Sequence, residues 1–257
     1  MRSIAVAACA AILGLGLIAP RAPAAAAEGA ALPQQSWSFD GVFGRYDNAA
    51  IQRGFQVYTE VCSSCHGLRF FAFRNLLDVG FGEDQAESVA AEFEVEGGPD
   101  ADGEMFTRSA ILSDYMPSPF ANDNAARASN NGALPPDLSL ITKARMHGND
   151  YLFALMTGYE EEAPEGFELA DGMNYNHYFV GNQIAMPPPL SEGLIEYVDG
   201  SEPSVEQMAA DVTHFLAWVA EPHQDTSKRI GIKSILFLIV LTALFYASKR
   251  KIWAKLD

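Results

Sequence analysis

Cysteine is scarce in this chain: three in 257 residues, at positions 9, 62 and 65. Three cannot build the disulfide framework of a small secreted scaffold. Repeats are absent, so a solenoid or propeller is not expected. The long Gly-, Pro- and Asn-rich stretches between the two amphipathic segments show no strand alternation, so no large sheet is expected. Basic residues are few over positions 28–220, with 8 Lys plus Arg against 30 Asp plus Glu, a formal charge of −22. Such a surface repels phosphate. Nucleic acid and anionic membrane surfaces are poor partners for it, and a basic protein is the natural one.

What is present is concentrated at the two ends and at one motif. Arg2 precedes an uncharged apolar run over residues 4–19, Pro20 breaks it, and Ala24 to Ala27 offer small residues for cleavage. This is the pattern of an export signal, assigned here to residues 1–27. Its removal would also remove Cys9. A second apolar run covers residues 230–248, with Lys233 its one charge. At 1.5 Å per residue, about 19 residues match a hydrocarbon core of about 30 Å. Basic residues flank it: Lys228 and Arg229 before, Lys249, Arg250, Lys251 and Lys255 after. The expected layout is an exported domain over 28–226, a membrane anchor over 227–250 and a cytoplasmic tail over 251–257.

Cys62-Ser63-Ser64-Cys65-His66 reads C-x-x-C-H, the attachment motif for a c-type haem. Two thiols at this spacing can reach two vinyl groups on one porphyrin edge, and the adjacent imidazole can face the iron. A thioredoxin-like C-x-x-C needs a βαβ context, and a zinc site needs a second ligand pair. Export agrees with a haem attached outside the cytoplasm.

Asp47 can cap a helix that runs to this motif, with Ala50, Ile51, Val57, Tyr58 and Val61 on a partial apolar face. Gly54 inside it costs about 1 kcal/mol relative to Ala and points to close approach of another helix. The spacing of Val205, Met208, Ala209, Val212, Phe215, Leu216 and Val219 predicts that partner, capped at Ser204 and stopped by Pro222. Further expectations are a helix over 85–93, a turn at Gly97-Gly98-Pro99, a short helix over 151–157 closed by Gly158, and a polar link over 221–227 crossed by few core contacts.

A haem iron needs a sixth ligand or an open site. His147, His177, His214 and His223 are available, as are Met105, Met116, Met146, Met156, Met173, Met186 and Met208. Met156 and Met208 lie on apolar helical faces, as core residues do, and His214 borders the apolar stripe of the late helix. Met186 stands apart because Pro187, Pro188 and Pro189 follow it and stiffen its loop. A thioether binds iron weakly and needs such a loop, and it raises the potential. Methionine, histidine and an open site all remain possible on these grounds.

The segments Arg53-Gly54-Phe55-Gln56-Val57-Tyr58, Val61-Cys62-Ser63-Ser64-Cys65-His66, Asn130-Asn131-Gly132-Ala133-Leu134-Pro135-Pro136-Asp137-Leu138-Ser139, Leu155-Met156-Thr157-Gly158-Tyr159, Ile184-Ala185-Met186-Pro187-Pro188 and Trp218-Val219-Ala220-Glu221-Pro222 together resemble the cytochrome c1 family. Its members are the haem subunits of ubiquinol–cytochrome c reductase, the cytochrome bc1 complex. The resemblance implies a mainly α chain with a class I c-type cytochrome fold, long irregular loops and one C-terminal transmembrane helix. It implies one covalent haem c on Cys62 and Cys65, with His66 and Met186 as axial ligands. It also implies a propionate contact from Arg145 with Tyr151, and haem packing by Pro136. The implied partners are cytochrome b, the Rieske iron–sulfur subunit, membrane lipid and a basic cytochrome c, soluble or tethered. The implied place is a bacterial inner membrane, with the haem domain in the periplasm. One-electron transfer needs no general acid, base or nucleophile from this chain, so it would be non-catalytic alone. The competing functions are an independent membrane-tethered electron carrier and a haem enzyme or sensor with an open iron site.

Overall fold

The computed structural model describes residues 31–254. The export signal expected over 1–27, Cys9 and the last three residues of the tail lie outside the described residues.

Asp47 begins the first helix. Its carboxylate accepts from the N–H groups of Ala49 and Ala50, two of the donors that a first helical turn leaves unpaired. Helix α1, Asn48–Glu60, then buries Ala50, Ile51, Gly54, Phe55, Val57 and Tyr58, positions that fall on one face. Helix α2 is Glu83–Ala91, starting two residues before the expected 85–93, and helix α3 is Asp123–Ser129. Helix α4, Gly148–Thr157, ends at Gly158 as expected and begins three residues earlier than the apolar run suggested. Helix α5, Val205–Ala220, starts where the Ser204 hydroxyl accepts from the Gln207 N–H at 3.1 Å. It ends at Ala220 because the residue before Pro222 is pushed out of the helical region; Glu221 has φ −149° and ψ 68°.

Helices α1 and α5 cross at Gly54. A Cβ placed there would lie 2.0 Å from the Asp211 carbonyl oxygen and 2.7 Å from Phe215 Cβ. Only glycine lets the two backbones come so close. Beside the crossing, Arg53 Nε and Nη2 donate to the two oxygens of Asp211, each at 2.9 Å, and Nη1 donates to Asp199 at 3.0 Å. Asp211 is only 1% exposed, and a carboxylate so placed needs this bidentate partner. Phe55, Tyr58, Phe71, Phe215 and Trp218 surround the crossing with ring centroids 5.5 to 6.2 Å apart. Helix α4 packs on α5 as well.

The loops hold more strand than their sequence indicates. Strands β1, Glu94–Pro99, and β2, Met105–Ser109, form an antiparallel hairpin whose register shifts between Glu96 and Pro99. Gly97-Gly98-Pro99 is therefore an irregular strand end and not the expected turn. The turn is at Asp100, whose carboxylate accepts from the N–H groups of Asp102 and Glu104. Gly and Pro mark bulges as readily as turns. Two further short strands, β3 (Asn174–Tyr175) and β4 (Gln183–Ile184), pair antiparallel.

Helix α6, Gln224–Trp253, is 30 residues long and long and apolar enough to cross a membrane; none of its most apolar stretch is buried. It starts earlier than the sequence indicated, so the polar link over 221–227 shrinks to residues 221–223. Few core contacts cross it, as expected, since no residue of α6 is buried or joins the core, but polar contacts gather around it. The Tyr46 N–H donates to the Asp225 carboxylate at 3.3 Å, the Lys228 ammonium donates to the carbonyls of Phe39 and Gly44, and Lys143 pairs with Glu221. Once Pro222 has ended α5, the polar residues that follow can continue as helix because their side chains find partners on the N-terminal segment.

Replacing Gly54 with Ala tests the crossing. Alanine gains about 1 kcal/mol in helix propensity, yet its methyl group overlaps a backbone carbonyl that cannot rotate away. The expected outcome is a net loss of about 1–3 kcal/mol, read as a lower thermal unfolding midpoint. A more stable variant would show that the helices can separate without cost.

Candidate functional site

The motif sits where α1 runs out. Residues Cys62–Ser64 form a single 3-10 turn, and the Cys62 carbonyl accepts from both Cys65 N–H (3.1 Å) and His66 N–H (2.9 Å). The Ser63 hydroxyl donates to the Thr59 carbonyl at 2.7 Å, and the Tyr58 hydroxyl to the His66 carbonyl at 2.9 Å. These bonds continue the helix into the motif, so α1 sets its direction. Both cysteines are unpaired. Burial, with Cys65 close by, pushes the Cys62 thiol up to about 12, which keeps it protonated.

His66 Nδ1 lies 2.8 Å from the Pro136 carbonyl oxygen. A carbonyl only accepts, so the ring donates from Nδ1, and in the neutral tautomer the Nε2 lone pair is left free. Burial lowers the pKa of His66, opposed by the Pro136 carbonyl and Asp137. A neutral imidazole with a fixed tautomer and a free Nε2 is the form that binds a metal.

Three further bonds hold the Pro136 segment against the motif. Leu138 N–H donates to the Gly67 carbonyl at 2.9 Å, Arg69 N–H to Asp137 Oδ2 at 3.0 Å, and Phe70 N–H to the Ser139 hydroxyl at 3.1 Å. Asp137 Oδ1 also accepts from Ser139 N–H at 3.0 Å. Pro136 itself is exposed, which leaves its ring free to cover an apolar ligand.

Met186 is half-buried in the loop after β4. Its carbonyl accepts from the Tyr159 hydroxyl at 3.1 Å and from Asn174 Nδ2 at 3.3 Å. Arg145 is exposed, with Nη1 donating to the Ala144 carbonyl at 3.0 Å, just ahead of α4. Burial raises the Tyr151 phenol pKa, and the neighbouring Arg145 guanidinium opposes the rise. Burial raises Tyr159 as well, with Tyr151 the second cause. The sequence-predicted residues thus fall into two groups. Cys62, Cys65, His66 and Pro136 stand at the end of α1. Arg145, Tyr151 and Met186 stand around α4, with Tyr159 between the last two. Among the described residues no hydrogen bond joins one group to the other.

The other candidate ligands have places of their own: Met173 is exposed, and His147 and His223 stand at the N-caps of α4 and α6. Met116 and Met208 are core residues, Met156 packs against the core, and Met105 and Met146 are exposed. His214 Nδ1 pairs with the Ala210 carbonyl at 3.0 Å, and its ring lies edge-on to Trp37 and Phe39. His177 faces Glu160 at 3.9 Å. The sequence reading assigned no role to Asp137, Ser139, Tyr159, Asn174 or Asn176. Only Asp137 had a local signal, an Asx turn after two prolines.

The family model for the cytochrome c1 family matches residues 37–256. This chain belongs to the cytochrome c1 family. Cytochrome c1 of Rhodospirillum rubrum is 48% identical over 240 residues, covering 88% of each chain. The cytochrome b-c1 complex catalytic subunit of Candida albicans is 47% identical over 231 residues, covering 90% of this chain and 78% of that protein. Cytochrome b/c1 of Bradyrhizobium diazoefficiens is 46% identical over 243 residues; they cover 86% of this chain but only 35% of that longer protein.

The clamp on the motif gives a direct test. Asp137→Ala leaves the N–H groups of Arg69 and Ser139 without their acceptor. The expected cost is about 1–3 kcal/mol, with faster hydrogen exchange at those two amides than at the α1–α5 core. Unchanged exchange there would show that the segment is held by other means.

Proposed function

We propose that this chain carries one covalent haem c and serves as the membrane-anchored electron-transfer subunit of a ubiquinol–cytochrome c reductase. The observation that carries the proposal is the bond from His66 Nδ1 to the Pro136 carbonyl, which leaves Nε2 as the free donor beside two unpaired thiols. The donor set fits a c-type haem: Cys62 and Cys65 would hold it through thioether bonds, and His66 and Met186 would ligate its iron. Arg145, with Tyr151 beside it, would offer a guanidinium to a propionate, and Pro136 would pack on the ring. The haem, when bound, supplies a one-electron redox centre.

The chain's own work is positioning. The Pro136 carbonyl holds the imidazole in one tautomer and orientation. The prolines after Met186 limit the motion of its loop. Helix α6 fixes the domain to a bilayer, with the haem domain in the periplasm and residues 251–257 in the cytoplasm, so donor and acceptor meet it at a set height. That a relative is a subunit of a cytochrome b-c1 complex supports cytochrome b as a partner, and the family resemblance implies a Rieske iron–sulfur protein as electron donor. The acidic domain supports a basic cytochrome c as acceptor.

Two measurements test this reading. In Met186→Leu the long-wavelength charge-transfer band of Met-ligated ferric haem should vanish, the potential should fall, and carbon monoxide should bind the reduced protein. A variant that keeps band and potential would remove Met186 from the site. Association with a basic cytochrome c should slow steeply with salt, because the Debye length is only about 10 Å at 0.1 M. A rate that does not fall would remove the acidic surface as the docking face.

A further inference from the structure

We infer that Tyr159 and Asn174 are positioning residues for the Met186 thioether, their two donors on the Met186 carbonyl setting how firmly the sulfur is held. The inference rests on the reading of Met186 as the sixth ligand. A thioether is a weak donor, so its occupancy depends on how little the loop must be ordered when the bond forms. On its far side the loop is seated by Leu190, which is buried in the core, but the three residues between offer no hydrogen-bond donor. Pro187, Pro188 and Pro189 restrict φ but have no N–H to donate. The hydrogen-bonded tie on the Met186 backbone therefore falls at Met186 itself, where two donors from different segments converge. The Tyr159 hydroxyl lies 3.1 Å from the Met186 carbonyl oxygen, and Asn174 Nδ2 lies 3.3 Å from it. A carbonyl oxygen has two lone pairs, so these two donors saturate it.

Both donors are themselves anchored to the end of α4. Tyr159 follows Gly158, whose carbonyl accepts from His177 N–H at 2.8 Å. Asn174 lies on β3, paired with Ile184 on β4 two residues before Met186. Between them Asn176 is fully buried. Its Nδ2 donates to the Leu155 carbonyl at 2.7 Å, and its Oδ1 accepts from Tyr178 N–H at 3.0 Å and Phe179 N–H at 3.1 Å. The sulfur-bearing residue thus hangs from the C-terminus of a core helix through an unbroken set of hydrogen bonds. Loss of either donor should leave the haem attached and the core intact while the thioether detaches more often.

The test is imidazole binding to the ferric holoprotein, full-length and in detergent, with the charge-transfer band as second readout. Tyr159→Phe and Asn174→Ala should each strengthen imidazole binding about fivefold, the equivalent of about 1 kcal/mol for one hydrogen bond. The double variant should strengthen it further and lose the band at lower pH. Thr213→Val serves as the control for general loosening, because it removes a buried hydroxyl bond on α5; it should leave imidazole binding unchanged. Binding in the double variant within twofold of the parent, or an equal gain in Thr213→Val, would overturn the inference. Met186→Leu separates the two readings. If it keeps the band, Met186 is not a ligand and both fall. If it loses the band while the Tyr159 and Asn174 variants bind imidazole like the parent, only the positioning role falls.

Discussion

The contact between α1 and α5 at Gly54 is the constraint on which the other parts depend. The motif is a continuation of α1, so the direction of that helix decides where the two thiols and His66 stand. The direction is fixed only because Gly54 lets the α5 backbone approach and Arg53 neutralises the carboxylate that this approach buries. Removing Arg53 would leave an uncompensated charge at Asp211, a far larger penalty than the pair's net contribution to stability. The pair therefore specifies the crossing more than it strengthens it. Helix α4 leans on the same α5, and the Met186 loop hangs from α4. Both halves of the site are thus referenced to one helix.

The helices at this centre were legible in the sequence because their signals are local. Asp47 and Ser204 cap within three residues, the apolar spacing repeats every three to four residues, and a mid-helix glycine has few uses besides close approach. The C-x-x-C-H motif is legible for the same reason, since its chemistry is carried by five adjacent residues. The hydrogen bonds that orient these groups are not local. His66 meets Pro136 across 70 positions and Tyr159 meets Met186 across 27, and nothing in either segment's composition announces its partner. Gly97-Gly98-Pro99 shows the converse problem. The residues disfavour a regular strand, but the choice between a turn and an irregular strand end is made by Asp100, which gathers two N–H groups with its side chain.

The start of α6 shows why a composition boundary need not be a mechanical one. Charge and hydropathy change abruptly after residue 227, which suggests a loose tether. The helix nevertheless begins at Gln224, and Asp225 and Lys228 bond to backbone groups of the N-terminal segment. The polar residues ahead of the apolar run are partners for the domain and not a spacer. A membrane helix joined in this way transmits its orientation to the domain, because tilting α6 must break or stretch those bonds. The domain's position over the bilayer is then set by its own fold as well as by whatever packs beside the helix.

The two candidate axial ligands are held by contrasting means, and the contrast follows from their chemistry. Imidazole is a strong donor that needs only the right tautomer and aim, and one carbonyl on Nδ1 provides both. Its backbone is already rigid, being the end of a helix tied by Tyr58. A thioether is uncharged, has no proton to fix and can be aimed only through its backbone. Three prolines limit the loop on one side, and two donors saturate the Met186 carbonyl on the other. The prolines restrict φ between Met186 and Leu190, which seats the far end in the core, and the hydrogen bonds tie the Met186 backbone itself. Stiffness on one side and anchorage on the other leave the Met186 backbone with little entropy to lose if its thioether binds a metal.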